Sequence, residues 1–345
     1  MKILAFFLKF KQIIAPVIAI ISSLLVGGIL ILIAGKNPFE AYTILFQESL
    51  INYYGFANTL TKTTPLLLAS LGILVALKGG QFNIGGEGQI YLGALGSTLA
   101  GLLITDLPRF LHIPLALAGG FIFGALWGII PGYLKAYRGV NEVITTLLLN
   151  YIALNLISYL VHGPLAEPNA PSAYSPLIAE SAKLPILLPQ TLTHGGIIIG
   201  VIGTIIIGFI LKQTIIGYQI EIVGFNPQAA TYAGISLKKT ILFLMALSGG
   251  LCGLAGACEV MGLKYRLFEN FSPGYGFDAI AIAFLSRGNM VGLLLTALFF
   301  GALSSGANVM QRSAGVPVTI IGVIQGLTLL FIAISTQIKL KNSGS

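Results

Sequence analysis

Long apolar stretches, broken by short polar ones, run through almost the whole chain. A run of about 20 apolar residues is what a helix needs to cross a hydrocarbon core about 30 Å thick. On that criterion the sequence predicts ten candidate crossings, at 13–34, 60–78, 87–105, 113–133, 142–162, 195–212, 240–262, 276–287, 290–309 and 316–336. The eighth is short and ends in "SRGN", as expected of a broken or re-entrant helix. Segments of alternating polarity, about ten residues each, that would build a membrane barrel are absent. The pattern predicts an all-α polytopic membrane protein, a single transmembrane domain over 1–345 with about ten helices.

Composition fits that class. The chain is 56% hydrophobic and 9% charged, against roughly 45–50% apolar residues in a soluble domain. Its net charge of +8 then speaks to orientation rather than to nucleic acid, because lysine and arginine favour cytoplasmic loops. Counting crossings from the N-terminus puts Lys2, Lys9, Lys11, Lys135, Arg138, Lys238 and Lys239 on one side, which predicts cytoplasmic termini. The apolar run after Lys11 is too long for a signal-peptide core and lacks an A-x-A site, so it reads as a retained first span.

Small residues recur every fourth position in three places: Gly120, Gly124, Gly128 and Gly132; Gly249, Gly253 and Ala257; Gly93, Ser97 and Gly101. Such stripes let helix backbones approach closely in lipid. Two loops are long. The proline-rich stretch 163–194 falls outside on this topology, where proline favours an extended cap. The stretch 213–239 falls inside. There Asn226 suits a helix cap, Pro227 the first helical position, Gln228–Ala233 a short helix and Gly234 its end. A short alanine-rich helix between basic flanks is suited to docking a soluble partner.

Catalytic chemistry finds no support. No G-x-x-x-x-G-K-[ST] phosphate loop occurs, and His112, His162 and His194 are scattered. Cys252 and Cys258 form neither a disulfide framework nor a metal spacing. No catalytic residue, metal site or cofactor of the chain's own is expected. What stands out is polarity at membrane depth: Asn83, Glu87, Gln89, Asn141, Glu142, Asn150, Asn155, Glu259, Asp278 and Arg287. A charge at the helix centre costs ~2.5–3.5 kcal/mol on insertion scales, so such groups face a cavity or a partner. The stretch "KGGQFNIGGEGQ" (78–89) reads as a kink between two spans, and irregular backbone there must be buried in protein or line water. Glu87 either faces that path or caps the first turn of its own helix. Asn150 and Asn155 suit hydrogen bonds between helices.

The segments "FNIGGEGQIYLGA" (82–94), "VNEVITTLLLNYIAL" (140–154), "VGFNPQAATYAGIS" (223–236), "LSGGLCGLAGA" (247–257) and "SPGYGFDAIAIAFLSRGNMVG" (272–292) follow one another in the order of a known family. The chain resembles permease subunits of bacterial ABC importers of the branched-chain amino acid/ribose type. Within them it is similar to the nucleoside (guanosine-type) and simple-sugar subgroup, from about Asn37 to Ser335.

That resemblance implies a cytoplasmic-membrane subunit working with a second permease, an ATPase subunit that holds ATP and Mg, and a substrate-binding lipoprotein or periplasmic protein. It implies that Gly224, Asn226, Pro227, Ala229, Ala230 and Gly234 meet the ATPase. It favours a purine nucleoside as cargo; polarity at depth then nominates Asn83, Glu87, Asn150 and Asp278 for the substrate path, and the ring and ribose of such a ligand nominate Phe82, Asn83, Tyr91 and Phe277. A monosaccharide such as ribose, or a branched-chain amino acid, is the alternative cargo of the same machine. An ion-coupled secondary transporter using Glu87 and Asp278 is the remote one.

Overall fold

The protein, seen in a computed structural model, is described over residues 2–104, 107–168 and 172–342, with side chains from 16 to 334. Positions 169–171 of the proline-rich loop, residue 1 and residues 343–345 lie outside the described residues. The helices are α1 (Lys2–Ile33), α2 (Pro38–Leu50), α3 (Tyr53–Lys78), α4 (Gly86–Leu103), α5 (Arg109–Arg138), α6 (Glu142–His162), α7 (Gly196–Gln213), α8 (Ile215–Phe225), α9 (Pro227–Tyr232), α10 (Leu237–Glu259), α11 (Tyr275–Ser286), α12 (Met290–Ala314) and α13 (Thr319–Asn342). A π-helical turn, Val260–Lys264, prolongs α10, and Glu180–Ala182 form a single 3₁₀ turn. Among the described residues the only strand-like pairings are two isolated bridges, Tyr174 with Phe268 and Ile186 with His194.

Each of the ten expected crossings coincides with a helix, but among the described residues α4, α11 and α13 are not long and apolar enough to count as membrane spans, so the expected ten are not all realised. Seven helices among the described residues are long and apolar enough to span a membrane, and α11 is short as its sequence suggested. Two helices were not expected. Pro38 opens α2 behind an Asn37 side chain that accepts the Phe39 amide, a start signal obscured by the mixed polarity of the segment. The stretch 213–239 also holds α8, capped by Thr214, so it carries two helices where the sequence suggested one.

The chain divides into two compact units, Met1–Thr63 with Ile280–Ser345, and Thr64–Ala279. In the first, α1 lies along α13 and α2 along α12. Ile31, Leu45, Leu303, Met310 and Ile324 form its core. The Thr328 hydroxyl joins α13 to Ser23 of α1 at 2.6 Å.

In the second unit the small-residue stripes perform as expected. A Cβ on Gly124 would meet Gly253 Cα at 2.7 Å, and one on Gly253 would meet Gly124 Cα at 2.9 Å. Gly120 and Gly128 face Ala257 and Gly249 in the same way, so α5 and α10 run backbone against backbone. Gly93 of α4 abuts Gly253 from another side. Gly101 departs from this pattern and packs instead on Ile178 and Ala182 of the proline-rich stretch.

Candidate functional site: the loop that leads into the fourth helix

The polar stretch 78–89 leaves α3 at Lys78 and enters α4 at Gly86. Gly80 turns the chain at φ +71°, a conformation glycine adopts at little cost. It also faces α8: a Cβ on Gly80 would come within 3.2 Å of Gly224 Cα, and one on Gly224 would overlap the Lys78 carbonyl. The loop therefore rests on the end of α8, two residues before the cap of α9.

The polar side chains of the loop are spent on holding it. Asn83 is buried; its Nδ2 donates to Gln89 Oε1 and to Ser248 Oγ, both at 2.8 Å, and its Oδ1 accepts the Gly85 amide at 3.0 Å. Ser248 belongs to α10, so this network ties the loop to a second helix. From α6, Asn150 Oδ1 accepts the Gly88 amide at 2.8 Å and its Nδ2 donates to the Ile84 carbonyl at 2.9 Å. The Thr146 hydroxyl accepts the Ile84 amide at 3.3 Å. Backbone polar groups that would otherwise lie unpaired beside α4 are thereby satisfied.

Glu87 is 3% exposed, and its Oε2 accepts the Gly276 amide at 2.7 Å. Gly276 is the second residue of α11, whose free amides and dipole favour a carboxylate. Glu87 thus caps α11 and not, as one of its two expected roles had it, the first turn of its own helix. The start of its own helix is Gly85, with no side-chain cap. Four residues on, the Tyr91 hydroxyl accepts the Ser272 amide at 3.4 Å, and its ring lies 4.5 Å from that of Phe271. Residues 82–91 and 271–278 are thus joined at two points.

Of the seven residues singled out for the substrate path, Asn83, Glu87, Tyr91 and Asn150 are buried. Phe82 and Phe277 are 46% and 44% exposed, and Asp278 is half-buried. Asn155 does not bridge helices as expected; its Nδ2 bonds the Tyr151 carbonyl of its own helix at 2.8 Å. Ser248, Thr146, Ser272 and Gly276 were not singled out by the sequence. All four lie within the segments that carry the family resemblance, but a lone hydroxyl or glycine carries no charge that marks it as a partner of the loop.

The stretches 213–239 and 163–194 have their own devices. At α9, Asn226 Oδ1 accepts the Gln228 and Ala229 amides, each at 3.0 Å, with Pro227 next in line and Gly234 at φ +78° behind it. Ala230 is buried, whereas Phe225 and Tyr232 are 92% and 93% exposed. The α5–α6 turn is closed by an ion pair, Lys135 to Glu142 at 2.7 Å. The stretch 163–194 lies along the chain that follows α10: Ser175 donates its amide to Leu267, Ile178 to Tyr265 and Leu184 to Met261, at 2.8–2.9 Å. Arg266 pairs with Glu167 at 2.9 Å. His194, just before α7, is buried against Gly262 of the π turn, and its Nδ1 accepts the Gly196 amide at 3.2 Å. That burial pushes its imidazole down to about 4. Among the described residues no group of three or more His, Cys, Asp or Glu could hold a metal ion.

The family described as "Branched-chain amino acid transport system / permease component" matches residues 55–333, and the chain belongs to it. It is a multi-pass permease subunit.

Three relatives align over most of their lengths. The guanosine ABC transporter permease protein NupP of Bacillus subtilis is 35% identical over 98% of this chain and 99% of its own. The nucleoside ABC transporter permease protein NupB of Lactococcus lactis subsp. cremoris is 36% identical over 96% and 93%. The glucose ABC transporter permease protein TsgB13 of Haloferax volcanii is 35% identical over 94% and 88%.

Proposed function

We propose that this chain is the permease subunit of an ATP-driven importer for nucleosides, with purine nucleosides favoured. The observation that carries the reading is the near end-to-end likeness to two nucleoside permeases from different bacteria. The glucose permease relative supports a second reading, a monosaccharide, through the same machine.

In this account the subunit lies in the bacterial cytoplasmic membrane with both termini in the cytoplasm. Ten helices cross, namely α1, α3–α7 and α10–α13, with α11 a partial crossing. It pairs with a second, non-identical permease. An ATPase subunit supplies the ATP and Mg chemistry, and a binding lipoprotein or periplasmic protein delivers the ligand.

The ATPase meets Gly224, Asn226, Pro227, Ala229, Ala230 and Gly234, where α9 is stiffened by its cap and flanked by two exposed aromatic rings. The substrate passes the exposed faces of Phe82 and Phe277 and the partly exposed Asp278. A purine stacks on aromatic rings, and its ribose hydrogen-bonds to a carboxylate. Asn83, Glu87, Tyr91 and Asn150 form the frame behind that face. ATP binding closes the ATPase dimer, pushes α9 and shifts the spans between two access states.

Uptake of labelled guanosine by cells carrying the whole importer tests the cargo. Excess unlabelled nucleoside competes and excess glucose or ribose does not. Competition by the sugars alone would favour the second reading and refute the first.

A further inference from the structure

Two chain segments meet at Glu87 in an arrangement that no motif announces. Its carboxylate takes the second amide of α11, and the backbones behind that bond are in contact: a Cβ on Gly276 would come within 2.6 Å of Glu87 Cα, and one on Gly86 within 3.6 Å of Gly276 Cα. One turn further along α4, the Tyr91 hydroxyl holds the Ser272 amide. The residue after Gly276 is Phe277, half exposed, and the next is Asp278. Glu87 itself reaches no open surface.

We propose that Glu87 is a positioning residue for substrate binding. It fixes the first turn of α11 to α4, so that Phe277 and Asp278 present their side chains in one orientation. This rests on the reading that those two residues face the path. A carboxylate suits the task because its partner is a helix amide with no acceptor in its own helix. Glycine at 276 suits it because a Cβ there would come within 2.2 Å of the Glu87 nitrogen and push the two segments apart. Without the clasp the first turn of α11 samples several orientations, and apparent affinity falls by the fraction that remains competent.

The test uses the complete importer and two readouts. In uptake of labelled guanosine, Glu87→Ala raises KM by roughly tenfold, the effect of leaving one buried amide unpaired, while Vmax falls less. Glu87→Gln, which keeps an acceptor oxygen, recovers most of the affinity.

The second readout needs no substrate. A cysteine placed by Phe277→Cys reacts with a maleimide in detergent-solubilised importer, where Cys252 and Cys258 are buried and contribute little background. Adding Glu87→Ala changes that labelling rate several-fold, and Glu87→Gln restores it. An unchanged KM and an unchanged labelling rate in Glu87→Ala would overturn the proposal. If Glu87→Ala fails to assemble, Glu87→Asp, which withdraws the oxygen by one methylene, decides on the same two readouts. Wild-type values there would overturn it too. Absence of guanosine uptake by the wild-type importer would instead refute the cargo and leave the labelling arm to judge the clasp.

Discussion

Asn150 holds Gly88 across two helices: its Oδ1 takes the Gly88 amide at 2.8 Å while its Nδ2 reaches the Ile84 carbonyl at 2.9 Å. One side chain thereby satisfies the backbone on both sides of the turn into α4. Asn150→Leu strands the buried Gly88 amide, at a cost of ~1–3 kcal/mol when left unpaired, and the part-buried Ile84 carbonyl. We expect a marked drop in the thermal stability of the detergent-solubilised protein, read by fluorescence-detected size exclusion. Asn155→Leu, which loses only a bond to its own helix, should leave the melting curve within a degree or two.

The contact of α5 with α10 predicts a steep size dependence. Gly124→Leu and Gly253→Leu drive a side chain into the facing backbone. Overpacking costs ~1–3 kcal/mol, and more where neither side can yield. Both variants should lose most of the folded, monodisperse protein. Gly322→Ala on α13 has open space around it and should express as the wild type does. Normal yields of Gly124→Leu would show that the stripe is not a close contact.

A third expectation concerns the contact of α8 with the 78–89 loop. Gly224→Val places a side chain against the Lys78 carbonyl, where the end of α8 supports the 78–89 loop. The variant should assemble and yet lose most nucleoside uptake, with ATP hydrolysis by the complex no longer stimulated by substrate. Asn226→Ala removes a cap worth ~1 kcal/mol and should give a weaker form of the same uncoupling. Full stimulation of ATPase activity in Gly224→Val would contradict a role for this contact in coupling.

The stretch 163–194 should respond to acid through His194. Its imidazole is neutral in the folded protein, depressed to about 4, whereas an unfolded histidine titrates near 6.5. Between those values the unfolded state binds more protons, so stability falls as the pH drops from about 6.5 toward 4 and is flat above. His194→Gln should flatten that part of a melting-temperature profile. An equal slope in both proteins would remove His194 as its cause.

Much of the fold was legible because lipid imposes a simple rule: ~20 apolar residues make a crossing, and glycine every fourth residue makes a close contact. The cap of α9 was legible for a similar reason, since Asn226, Pro227 and Gly234 each act on their own backbone. The candidate site was less so. The sequence leaves Glu87 either facing a path or capping its own helix, and only the fold brings Gly276, far along the chain, to its carboxylate. Asn83 looked like a group facing a pore, but Ser248 and Gln89 occupy its amide. A sequence marks polarity at depth without saying whether a ligand or the protein itself satisfies it. The aromatic neighbours Phe82 and Phe277, which carry no polar mark, are the ones left exposed.

The claim of ATP-driven nucleoside import is tested most directly in proteoliposomes holding the complete importer with its binding protein. Labelled guanosine should accumulate inside the compartment that represents the cytoplasm, only with ATP and Mg supplied to the ATPase, and not when this chain is omitted. Accumulation driven by a pH gradient in vesicles containing this chain alone would contradict the account.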